Sequence, residues 1–308
     1  MAASLVHPPR DLIGYAGDPP QVRWPGNARI AVNFVMNYEE GGERSLVYGD
    51  STAENRLADV LAPVPLAGAR DLTMESAYEY GSRVGLWRIL RLFRERGVPF
   101  TVYAVGLALK NNPRAAEAFL AAGCDFVDHG WRWFDYAKVD EATEREHMEM
   151  SLDLLRRLTG EHPAGWYIGT PSAATRRMRI EAGGFLYDSD AYNDDLPYWT
   201  YDWGRPHLIV PHTLDTNDTR FARGLGWNQA QDFTAFAIDE FEALRAEGAM
   251  HPRMMTIAVH LRLAGKPARA AHFARLLDHI IAQPDVWVCR RVELARHWIA
   301  DHPPERPA

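Results

Sequence analysis

"VPFTVYAVG" (98–106), "NNPRAAEAFLAAG" (111–123) and "CDFVD" (124–128) are close neighbours along the chain, and their order decides the fold. The first is a short apolar run that reads as a buried strand. The second reads as a helix, with Asn112 as its cap and Pro113 in its first turn. The third reads as another strand. Strand, helix, strand with short joints predicts parallel pairing with the helix packed across one face.

Working outward, the same alternation continues. "RIAVNFVMN" (29–37) alternates apolar residues like a strand, and "GSRVGLWRILRLFRERG" (81–97) predicts a helix over about 82–96. There Val84, Trp87, Leu90 and Leu92–Phe93 sit at helical spacing, and Gly97 supplies a stop. Further helices are predicted over about 141–159, 173–182, 230–247, 267–282 and 291–300, and strands at "HLIVPH" (207–212), "MMTIAVH" (254–260) and "VWVCR" (286–290). Residues 37–80 carry Gly, Pro and polar clusters; so long a weakly periodic stretch is more often functional than idle. The pattern predicts an α/β fold, a mainly parallel sheet covered by helices and closed or nearly closed as a barrel. No repeat or low-complexity tract divides it, so one domain over 1–308 is expected, with a Pro-rich N-terminal extension, "HPPRDLIGYAGDPPQVRWPGNA" (7–28).

Bulk properties narrow the class. The chain has 308 residues, 47% of them apolar, enough for a large core. Its 34 basic residues stand against 41 acidic ones, for a net charge of −7, the wrong sign for a polyanion binder, so no nucleic-acid partner is expected. "MAASLVHPPRDLIGY" lacks a basic region followed by an apolar run, and no stretch approaches the roughly 18 apolar residues of a membrane helix. A cytoplasmic protein with no membrane partner is the expectation. Cys124 and Cys289 each lie in an apolar strand-like run, which favours buried free thiols over a disulfide.

In a barrel of this kind reactive side chains gather at the C-terminal ends of strands. That rule selects Glu39 and Glu40, which follow the first strand, His129, which follows "FVD", and His260, which ends "IAVH". Adjacent residues of an extended chain point to opposite sides, so only one of the two glutamates can easily face the barrel mouth. A desolvated carboxylate there is expected to have the raised pKa of a general base or acid. His260 is a candidate acid for a leaving nitrogen. His212 has a similar position, but the Asp215, Asn217 and Asp218 that follow look equally like turn formers. Tyr38, Trp131, Arg132, Trp133, Trp166, Tyr167 and Tyr198, with Arg262 and Trp199, are candidates for the wall of a pocket for a small polar planar ligand. The four aspartates of "DSDAYNDD" (188–195) lack the glycine and closing glutamate of a calcium loop. No Walker loop, GxGxxG or GxSxG occurs.

Taken together, "RIAVNFVMNYEEGGERS", "MESAYEYGSRVGLWR", "HGWRW", "GWYIG", "EAGGFLYDSDAYNDDLPYW", "TLDTNDTRF" and "AVHLRLAGKPARAA" resemble the cofactor-independent allantoinases and related cyclic imide hydrolases, a branch of the polysaccharide deacetylase superfamily. The resemblance runs from about residue 10 to 300. It implies a distorted (β/α) barrel with about seven strands and homo-oligomerisation as a dimer or tetramer. In the deacetylases an aspartate pair ends the first strand and an HxxxH motif supplies two metal ligands; here the pair is Glu39 and Glu40, and HxxxH runs from His129 to Trp133. One ligand is missing, which implies an enzyme with no metal and no cofactor. The allantoinase-like pattern also carries an arginine shortly after "GWY" and a serine before the motif histidine, where this chain has Thr170 in the pocket wall and Asp128. A lost guanidinium implies a cyclic imide as substrate ahead of allantoin. The expected reaction is hydrolytic ring opening, with Glu39 or Glu40 as base (Glu39 matching the base position the resemblance implies), His260 as acid, and His129, with Arg132, stabilising the oxyanion.

Overall fold

The structure, a computed structural model, describes residues 8–60, 64–222 and 226–305. The first seven residues, where the Pro-rich extension begins, and 61–63 of the 37–80 stretch lie outside the described residues.

Among the described residues nine strands form one sheet: β1 (Ile30–Tyr38), β2 (Thr101–Ala104), β3 (Asp125–Asp128), β4 (Gly165–Trp166), β5 (Tyr187–Asp188), β6 (Tyr198–Thr200), β7 (His207–Ile209), β8 (Arg253–His260) and β9 (Val286–Val288). Their order is β6-β7-β5-β4-β3-β2-β1-β8, with β9 also on β1, and only the β6–β7 pair is antiparallel. The helices around the sheet are α1 (Leu72–Tyr80), α2 (Leu86–Arg96), α3 (Gly106–Asn111), α4 (Pro113–Ala121), α5 (Glu141–Thr159), α6 (Thr175–Ala182), α7 (Ala230–Glu247), α8 (Leu261–Ala264), α9 (Pro267–Ile281) and α10 (Arg291–Asp301). This is the expected distorted (β/α) barrel. Its nine strands exceed the about seven that the resemblance implies, and β4 and β6, two and three residues long, are too short to show periodicity. Among the described residues the barrel does not close by pairing of its strands. Residues 213–217 cross the gap beside β8 instead: Thr216 Oγ1 donates to the Thr256 carbonyl at 2.6 Å and Ala258 N to the Thr216 carbonyl at 3.1 Å.

Strand alternation sorts the core into two layers. On β1, Ile30, Val32, Phe34, Met36 and Tyr38 pack outward against Leu86, Ile89, Phe93, Phe241 and Phe273 of the helices. Ala31 and Val35 face inward with Tyr103, Tyr187 and Leu208. Burial of this apolar surface, at about 25 cal/mol per Å², dominates the stability of such a layer.

The 82–96 helix is present as α2, but its buried face is Leu86, Ile89 and Phe93, while Val84 and Trp87 are exposed. Within α2 the buried stripe of Leu86, Ile89 and Phe93 runs one residue out of step with Trp87 and Leu90, and the chain enters the helix through a π-helical turn, Gly81–Gly85, that continues from α1. α1 itself, capped by Asp71, went unread since only Met74 and Tyr78 are buried on it. The turn's glycines press backbone onto the rim of the barrel. A Cβ on Gly85 would fall inside van der Waals contact of the Leu261 carbonyl, and one on Gly81 would strike the Glu40 carboxylate. Gly85→Ala is therefore expected to destabilise the protein by about 1–3 kcal/mol, read as a lower midpoint in urea unfolding; an unmoved midpoint would mean that the turn yields freely.

Both cysteines are free thiols, as expected, with Cys289 buried and Cys124 half-buried. Among the described residues no helix is long and apolar enough to cross a membrane.

Candidate active site

The register of the sheet brings the strand ends to one level. Asn37 pairs with His260, Ala104 with Asp128, and Asp128 with Trp166, so the next residues, Glu39, His129 and Tyr167, converge on the mouth. Glu39 keeps the inward parity of Asn37. Glu40 has the outward parity of Tyr38.

Glu39 lies at the centre and is buried. Its Oε1 is 3.1 Å from His260 Nε2 and 3.3 Å from His129 Nε2, and Arg262 Nη2 donates to its Oε2 at 2.7 Å. His260 Nδ1 is 2.7 Å from Asp218 Oδ1, and Asp218 also accepts from the backbone N–H of His260 and of Ala264. Asp218, His260, Glu39 and Arg262 thus alternate in sign along one buried chain, which offsets the cost of desolvating each charge. Since both ring nitrogens of His260 face carboxylates, both donate and the ring is an imidazolium. Burial disfavours that charge, but Glu39 and Asp218 outweigh it and push the pKa up to about 9.

The expected raised pKa does not hold for Glu39. Burial pushes it up, but His260 and Arg262, with hydrogen bonds from the two histidines, hold it well below the usual carboxylate range. Glu40 shows the expected direction. Burial raises it against the pull of Arg262, with the Glu39 charge adding to the rise. Glu40 does not face the cavity, however; it accepts from Arg262 N at 3.1 Å behind the site. Glu43, unread in the sequence, lies near it, and burial pushes it up to about 7.

His129 Nδ1 is 2.5 Å from the Tyr167 carbonyl, which can only accept, so Nδ1 carries a proton and Nε2 is the nitrogen turned to Glu39. Behind it Asp128 is fully buried, bound by Arg179 and by Ser151 Oγ at 2.6 Å. Asp128 is matched by that arginine and accepts from Gly130 N at 3.0 Å, which holds the His129 turn. The His212 ring lies 5.0 Å from the Tyr167 ring, tilted by 31°; burial, with Arg291, His260 and His129, pushes its pKa well below the ordinary value, so it is neutral.

A cavity of about 430 Å³ opens over Glu39, His129 and His260, within the range of small-molecule sites. Trp133, Tyr167 and Thr170 line it as expected. Seven expected wall residues do not, among them Arg262, which is spent on Glu39, Glu40 and the Leu57 carbonyl, and Trp199, which donates to the His302 carbonyl. Tyr38 has the outward parity of β1, packs on Phe119 and meets Ser82 Oγ with its hydroxyl. Trp166 has the opposite parity from Tyr167 and stacks on His207. Trp131 turns away onto Gly106 and Lys110. Tyr198 lies on the edge strand β6, bound to Asn193. Arg132 donates to the carbonyls of Gly42 and Glu43 and to Asp50, so it braces the loop after Glu39 and is not at hand for an oxyanion. The walls also contain Asn37, Asn55, Arg56, Tyr192 and Asn217, which strand-end reasoning did not select. Asp218 was readable only as a turn former, although its burial makes it the partner of His260.

Among the described residues no group of three or more His, Cys, Asp and Glu is placed to hold a metal ion. Glu39 is committed to two imidazoles and a guanidinium, and position 133 offers an indole, so the residues present do not fit the metal of the wider superfamily.

A buried carboxylate and an acid-backed imidazole stand together at the C-terminal rim of a mainly parallel barrel, an arrangement suited to a hydrolase, and the comparisons agree on that class. Residues 71–182 match the polysaccharide deacetylase family model. A putative polysaccharide deacetylase of Schizosaccharomyces pombe is 42% identical over 96% of this chain and 98% of its own. Two solved structures are each 50% identical over 96% of the chain: a probable polysaccharide deacetylase from Pseudomonas aeruginosa PAO1 (TM-score 0.93, all of that chain) and PuuE allantoinase (TM-score 0.94, 99% of that chain). The chain belongs to the polysaccharide deacetylase family, as a hydrolase whose likeness to PuuE allantoinase is consistent with the allantoinase branch.

Proposed function

We propose that this protein opens the ring C–N bond of a small cyclic ureide without a metal, with allantoin, hydrolysed to allantoate, as the expected substrate. The observation that carries this reading is the Asp218–His260–Glu39 chain at the floor of a cavity walled by Arg56 and three asparagines. The 50% identity to PuuE allantoinase over nearly both whole chains supports it. The missing arginine at Thr170 no longer argues for an imide, because Arg56 brings a guanidinium to the cavity wall from another segment.

Glu39, ionised at neutral pH, takes the proton of a water as its oxygen adds to the ring carbonyl carbon. His260 Nε2–H then protonates the ring nitrogen as the C–N bond breaks. The 3.1 Å contact lets the proton on Glu39 Oε1 pass to His260 Nε2 and restore both groups. His129 presents Nε2 beside Glu39 and orients substrate and water. A cyclic imide is the second reading, favoured by the apolar part of the wall, Leu57, Val60, Ile168 and Leu214. Action in the cytoplasm as a homo-oligomer completes the proposal.

The test is turnover by chelator-treated, metal-analysed protein on allantoin, hydantoin, succinimide, glutarimide and an N-acetylated chitooligosaccharide. Allantoin opening by metal-free protein is the expected result. Opening of the imides alone would select the second reading, and activity only on the acetylated sugar with added metal would overturn both.

A further inference from the structure

One wall of the cavity comes from a loop, residues 53–60, that no strand end supplies. Three bonds hold it over the reacting groups. Tyr78 Oη donates to the Arg56 carbonyl at 2.9 Å, Arg262 Nε to the Leu57 carbonyl at 2.7 Å, and Glu54 N to the Arg44 carbonyl at 3.0 Å. Leu57 sits there at φ +51°, a conformation that leucine rarely adopts and that persists only where its surroundings over-determine it.

Within this loop the Arg56 side chain is aimed by its neighbour. Glu54, 2% exposed, accepts from Arg56 N at 3.0 Å and from Arg56 Nε at 3.2 Å through one oxygen, Oε1. The guanidinium carbon lies 5.0 Å from the centroid of the Trp133 ring, and Arg262, which binds Glu39, lies 5.4 Å from that same ring. The indole therefore joins the reacting end of the cavity to the Arg56 end. Among the described residues no other protein group accepts from the Arg56 side chain, which stays 40% exposed in the cavity wall. A guanidinium held at Nε and stacked on an aromatic face presents its remaining N–H groups as a pre-oriented fork for an oxygen acceptor.

We propose that Arg56 determines specificity: it binds the carbonyl oxygen of an acyclic ureido or amide arm attached to the ring, so that the site selects rings carrying such an arm over bare rings. This rests on the ring-opening reading above and narrows it. A site built to hydrogen-bond a substrate group discriminates strongly against the analogue that lacks it, because the polar group is then left unpaired.

Allantoin and hydantoin share a ring and differ in the ureido arm, so their constants separate the two roles. In Arg56→Met, which keeps an apolar stem beside Trp133, the ratio of kcat/KM for allantoin to that for hydantoin is expected to fall at least tenfold, about 1.4 kcal/mol, mainly through KM for allantoin. Arg56→Lys, with charge but no fork, is expected to recover only part of that ratio. A ratio that stays constant while both substrates weaken would mean that Arg56 only supports the loop, and would overturn the proposal alone. Wild-type protein that opens neither ring would overturn the ring-opening reading and this proposal together.

Discussion

Glu39→Gln is expected to lower kcat at least about a thousandfold while the far- and near-ultraviolet circular dichroism stays that of the wild type. Two effects combine in that loss. The amide cannot take a proton from water, and it removes the anion that faces His260 Nε2, so the imidazolium loses part of what keeps it protonated. The variant keeps the shape of the side chain, and Arg262 retains Glu40 as a partner, so the buried guanidinium is not left without a carboxylate. Stability should fall nevertheless, because removing one member of a buried ion chain leaves its neighbours less compensated, at a cost on the order of 3 kcal/mol. Glu39→Asp retains the charge but withdraws it from both histidines, and an intermediate loss is expected. Turnover retained in Glu39→Gln would remove this glutamate from the mechanism.

Asp218→Asn should cost about a hundredfold or more in kcat and should move the alkaline limb of the pH–rate profile. With His260 as the acid, activity requires its proton, so the rate is expected to hold through neutral pH and fall as pH rises through about 9. Replacing Asp218 removes one of the two charges behind that value, so the limb should shift toward the ordinary histidine range. An alkaline limb at the same pH in both proteins would show that His260 is not the acid. The sign for stability runs the same way. His260 binds its proton more tightly folded than unfolded, so its contribution is complete below the ordinary value of 6.5 and is lost as pH rises toward about 9. Glu39, held low, contributes in the opposite sense: its share is complete above the ordinary carboxylate value and is lost as pH falls through its depressed folded pKa.

Much of the barrel was legible because its strands are long enough to alternate or buried enough to be uniformly apolar. β1 and β8 could be placed within a residue or two, as could α5 and α7. β4 and β6, two and three residues long, offer too little period to detect, and in α2 the buried stripe, Leu86, Ile89 and Phe93, lies one residue out of step with the expected Trp87 and Leu90. The candidate site was legible to the same degree: strand ends pointed to Glu39, His129 and His260, and alternation limited the cavity to one of the two glutamates. The same alternation, applied to Trp166–Tyr167 and Tyr38–Glu39, would have removed Trp166 and Tyr38 from the wall.

Local pattern set the class: a mainly parallel α/β barrel, titratable side chains gathered at one rim, and a buried carboxylate after the first strand. These are local properties, set by period, polarity and position within an element. The tertiary structure alone decided who stands beside whom. Asp218 reaches His260 across 42 residues and Arg262 reaches Glu39 across 223, and no periodicity records such a pairing. For that reason the pKa of Glu39 was misjudged: burial, which raises it, can be inferred from the neighbouring sequence, whereas the two cations that reverse the shift arrive only when the barrel forms.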